Sequence, residues 1–194
     1  EAAWAGRWYR LEPATCEAWT GAEPPVVLAD CAPARLALPA AAGGRPLLLS
    51  GANAIRYERY EGITGVLLRE IPLAAGDRVV TFAPGPAGGA WALVARDGAR
   101  AAVLALRDGI EQAVDEAPAE VVTLEGCTPF AVAGGDLDRD GLPDAAVLCY
   151  ADLGAARAWD LRLASGIEAG RTPTVSGLPL PVLSPTWIGI DDFD

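Results

Sequence analysis

The apolar residues of this chain come in short runs, and glycine and proline punctuate them. AAVLCY (145–150) is β-branched and aromatic enough for a short buried strand, and too short for a helix before the next polar stretch. GAWALVARDG (89–98) and GRPLLLSG (44–51) repeat that pattern upstream. IRYERYEG (55–62) alternates Arg and Glu with Tyr, which predicts an exposed outer strand with cross-strand pairs. EQAVDEAPAE (111–120) has room for a helical turn, but Pro118 and the shortness of the run favour an acidic connecting loop. With 22 glycines and 16 prolines, long helices are not expected, and the chain reads as all-β.

Between two such runs lies GDLDRDGLPDAAVL (135–148), which sets Asp136, Asp138, Asp140 and Asp144 around Gly141. Four carboxylates this close repel one another, and a hard divalent cation is their natural neutraliser. Ca²⁺ accepts six to eight oxygens in a flexible shell, whereas Mg²⁺ keeps its waters. Asp136, Asp138 and Asp140 take loop positions 1, 3 and 5, Gly141 makes the turn, the Leu142 carbonyl enters at 7 and Asp144 closes the cage at 9. An EF-hand would need Glu at position 12, where this chain has Val147. The loop is therefore expected at the turn of a β-hairpin.

A strand, D-x-D-x-D-G-x-x-D and an apolar strand together resemble the calcium-binding blade of the FG-GAP (VCBS-like) β-propeller repeat, over about residues 128 to 150. The thrombospondin type 3 repeat shares the opening but continues with more acids and no strand, unlike AAVLCY. The resemblance implies Ca²⁺ held by Asp136, Asp138, Asp140, Asp144 and the Leu142 carbonyl, with a structural rather than catalytic role. It also implies a β-propeller, or a propeller segment of about three to four blades. The end of the chain, SPTWIGIDDFD, lies over TPFAVAGGDLD at a period of 192 − 136 = 56 residues. FAPGPAGG (82–89) stands where an upstream blade would carry the loop, with Pro and Gly in place of the acids. The expected division is an aromatic-rich segment over 1–34, blades at about 35–76, 77–126 and 127–183, and the start of another over 184–194. Such a half-site ending at Asp191, Asp192 and Asp194 leads us to expect that the chain continues or that neighbouring subunits cover the strand 186–190.

Composition narrows the function. The net charge of −11 disfavours nucleic acid and anionic lipid as partners. No lysine, histidine or methionine occurs, which removes His-based triads, lysine Schiff bases, P-loop lysines and His-ligated zinc; a carboxylate-only mechanism stays open, but no enzyme is expected. No uncharged apolar run reaches the roughly 20 residues of a membrane span. Without an initiator Met, Glu1 is expected to be a processed N-terminus, as after signal-peptide removal. Four cysteines fit an oxidising compartment. A hairpin turning near residue 138 brings Cys127 opposite Cys149, which leaves Cys16 with Cys31. Trp91 and Trp187 fit core positions, while Trp4, Trp8, Tyr9 and Trp19 crowd the N-terminus and either cover a sheet edge or dock on a partner. The expectation is a secreted or cell-surface, calcium-stabilised adhesion, binding or assembly module whose partner is a protein or glycan. The alternative is a non-catalytic, glycan-binding part of a polysaccharide-degrading enzyme.

Overall fold

The computed structural model describes residues 2–4, 7–12, 17–20, 26–27, 34–37, 47–61, 64–85, 89–106, 118–153, 157–168 and 171–181. All regular structure among them is strand. The first sheet is built from β1 (Ala2–Trp4), β2 (Arg7–Glu12), β3 (Glu17–Thr20) and β4 (Val26–Val27), and the second from β5 (Ala34–Ala37), β6 (Leu47–Ser50), β7 (Ala54–Glu61) and β8 (Thr64–Pro72). The third contains β9 (Arg78–Pro84), β10 (Ala90–Arg96), β11 (Arg100–Leu106) and β12 (Ala119–Glu125). The fourth contains β13 (Thr128–Gly135), β14 (Asp144–Asp152), β15 (Arg157–Ser165) and β16 (Thr174–Leu180). Each sheet is an antiparallel meander with its strands in chain order, and none closes on itself. The chain is thus all-β.

The continuous apolar runs exist because the third sheet is covered on both faces. Along β10, Trp91 and Leu93 enter a core shared with Val132, Ala145 and Val147 of the fourth sheet. The intervening Ala90, Ala92 and Val94 enter a second core with Leu49, Ile55 and Tyr57 of the second sheet. Side chains alternate across a strand, so a strand buried on both sides reads apolar at every position. The second, third and fourth sheets meet through their first strands, β9 lying against both β5 and β13, while the first sheet meets β5 through β2. GRPLLLSG, GAWALVARDG and LPDAAVLCY supply β6, β10 and β14, the second strand of three successive sheets.

Cys127 and Cys149 form a disulfide with Cα atoms 5.1 Å apart, and both are buried in the core between the third and fourth sheets. Trp91 is a core residue, as expected, with 1% of its surface exposed. The Cys16–Cys31 pairing, Trp187 and the segment 182–194 lie outside the described residues, as do the side chains of Trp4, Trp8, Tyr9 and Trp19.

Two sequence expectations are corrected. IRYERYEG is not an outer strand: β7 lies between β6 and β8, with Ile55 and Tyr57 buried. Burial pushes the Tyr57 hydroxyl up to about 12, against the opposing charge of Arg69. Its cross-strand pairing does occur, as Arg56 faces Glu70 with Nε 2.9 Å from the carboxylate. The stretch 111–120 is not loop to its end, because β12 begins at Ala119. Glu120 there receives Arg96 of β10 at 2.6 Å, and Arg96 also reaches Asp77 at 3.4 Å. The Arg96 hydrogen bond is the main reason the Glu120 carboxyl lies below its usual range.

Where β13 crosses the third sheet the backbone comes very close to Trp91. A Cβ on Gly134 would stand 2.7 Å from Trp91 Cζ3 and 3.0 Å from the Pro84 carbonyl oxygen. Only glycine fits between a buried indole and a backbone oxygen. Gly134→Ala should therefore cost about 1–3 kcal/mol through overpacking, read as a lower urea midpoint at unchanged slope.

Candidate metal centre

The acidic stretch forms the turn between β13 and β14, which pair from Gly135↔Asp144 outward. Gly141 has φ +84° and Arg139 has φ +60°, so the loop is left-handed at two positions. A Cβ on Gly141 would touch nothing within 4 Å, and glycine is needed there for conformation rather than space.

Backbone amides orient the carboxylates. Gly141 N–H donates to Asp136 Oδ2 at 3.0 Å, Asp140 N–H to Asp138 Oδ1 at 3.2 Å and Leu142 N–H to Asp140 Oδ1 at 2.8 Å. Asp144 differs from the others because it is fully buried. Its Oδ2 accepts Leu137 N–H at 2.7 Å and Asp138 N–H at 3.3 Å, and its Oδ1 accepts Gly166 N–H at 2.9 Å. Three backbone donors make burial of this carboxylate tolerable.

The result is one acidic group. Asp136, Asp138 and Asp144 each bring a carboxylate oxygen within 4.8 Å of the other two, an arrangement that could hold a metal ion. Asp140 and Leu142 are in the same loop but outside that group of three. The fit to a hard cation is chemical as well as spatial, since every contributed atom is a carboxylate oxygen. The Asp138 carboxyl lies above its ordinary range through desolvation, against the pull of the Asp140 N–H, and through repulsion from Asp140, Asp144 and Asp136. Asp138 is exposed, so the repulsion is the part that a bound cation would remove.

Two neighbours of the loop were not evident from spacing. Gly166 reaches Asp144 from 22 residues away, and Ile167 N–H donates to the Pro143 carbonyl at 2.9 Å. Beside Asp136 and Leu142 opens a cleft of about 280 Å³, lined also by Trp91, Pro84 and Gly85. Pro84 and Gly85, from the FAPGPAGG stretch of the third sheet, thus border the acidic loop of the fourth. In comparisons with known proteins, no protein-family model, curated protein or solved structure matches this chain.

The two kinds of acid should separate in cation-free buffer. Asp144→Ala strands three backbone donors and should cost about 3 kcal/mol or more. The Asp138 carboxyl, raised in the fold, contributes stability present in acid and lost as pH rises through its folded value. Asp138→Asn should therefore melt no lower than wild type at neutral pH, and its relative advantage should shrink on acidification. Thermal melts of both variants across this pH range check the pair.

Proposed function

We propose that this chain is a calcium-stabilised, FG-GAP-like β-propeller segment that serves as an extracellular binding, adhesion or surface-assembly module. The observation that carries the reading is the acidic hairpin loop, with Asp136, Asp138 and Asp144 converging on one point. Four sequential four-stranded meanders, the last three meeting through their first strands, support it, since repeated sheets around a common axis are how propellers bury strand faces.

In this reading Asp136, Asp138 and Asp144 hold the ion, and Asp140 and the Leu142 carbonyl complete the shell. Calcium supplies positive charge that cancels the repulsion in the loop. The residues do no chemistry on a substrate; they fix the hairpin, and recognition falls to loops and sheet edges. The Cys127–Cys149 bridge is compatible with an oxidising, extracellular setting. The charge of −11 favours a protein or neutral glycan over a polyanion as partner.

A ligand that binds only the native state stabilises it by about 2.7 kcal/mol at a hundredfold excess over its dissociation constant. Calcium should accordingly raise the melting temperature, and EGTA should reverse the gain. Asp136→Ala should weaken the response. Identical melting curves with and without calcium in the wild type would defeat the assignment.

A further inference from the structure

The Asp144 carboxylate belongs to two loops at once. Through Oδ2 it holds the amides of Leu137 and Asp138 in the β13–β14 turn, and through Oδ1 it holds the amide of Gly166 at the start of the β15–β16 connection. The same two segments are joined a second time by Ile167 N–H to Pro143. Leu142 of the turn also lies beside Gly166, its Cδ1 3.9 Å from where a Gly166 Cβ would stand. Ile167 then inserts its side chain into the core between the third and fourth sheets, with 7% of its surface exposed.

We infer that the β13–β14 turn and the Gly166–Ile167 pair at the end of β15 form a single latch that opens and closes as one unit, with the buried Asp144 carboxylate as its pin. Release of the connection leaves the buried Asp144 Oδ1 and the Pro143 carbonyl without donors, and opening of the turn takes the acceptors away from the Gly166 and Ile167 amides. This rests on the hydrogen bonds and the Ile167 anchor, independently of any bound ion.

Native-state amide exchange on the full chain, in EDTA-containing buffer, tests the latch separately from the calcium reading. The amides of Leu137, Asp138, Gly166 and Ile167 should exchange through one shared opening with the same denaturant dependence. Ile167→Ala lies outside the turn, yet it should speed exchange at Leu137 and Asp138 by the same factor as at Gly166, about tenfold or more. Leu93, in the centre of the third sheet, should respond less. Acceleration confined to Gly166 and its neighbours overturns the proposal, and so does uniform acceleration that includes Leu93. Should Ile167→Ala not fold, Ile167→Val makes the same comparison at smaller amplitude.

Discussion

The fold depends on covering both faces of the third sheet. A four-stranded meander with a single buried face could stand on its own polar side, but β10 and β11 have no polar side to offer. Ala101 and Val103 point to one core while Ala102, Leu104 and Leu106 point to the other. The second and fourth sheets are therefore required neighbours. Chain order follows from this, because consecutive meanders joined by short connections place each sheet against the next without crossings. Small residues permit the close approach, as at Gly134 against Trp91.

On this stacked frame the acidic loop is positioned from below. β14 starts at Asp144, so the strand that fills the core also fixes the one carboxylate of the loop that is fully buried. Asp136 and Asp138 follow at the surface, drawn in by amides of the turn. A buried, triply bonded acid with two exposed partners is a division of labour between folding and charge. The first acid keeps the turn closed, and with it the other two make a group that could hold a metal ion.

What could be read from the sequence was what is local. The hairpin, its turn and the Cys127–Cys149 bridge all lie within about two dozen residues, where strand alternation and turn chemistry act directly. Tyr57 was misjudged for an instructive reason: alternation in β7 reports that one face is polar, but not whether strands flank it on both sides. The Gly166 contact was invisible because nothing near Gly166 resembles a metal-site residue; it contributes only an amide. The first sheet left little trace, since its strands run from two to six residues and charged side chains interrupt them. Covering of faces between sheets is a property of the assembly, and no single window of sequence contains it.

The disulfide has a mechanical meaning as well as a thermodynamic one. Cys127 stands just ahead of β13 and Cys149 lies within β14, so the bond closes a covalent ring around the acidic turn. Tension applied to the chain from either side crosses the sulfur–sulfur bond and bypasses the 21 residues between its cysteines, 149 − 127 − 1. Stretching that frees β15 and β16 from the sheet would leave the carboxylates of the turn on an unloaded segment, sheltered from the force that dismantles their surroundings.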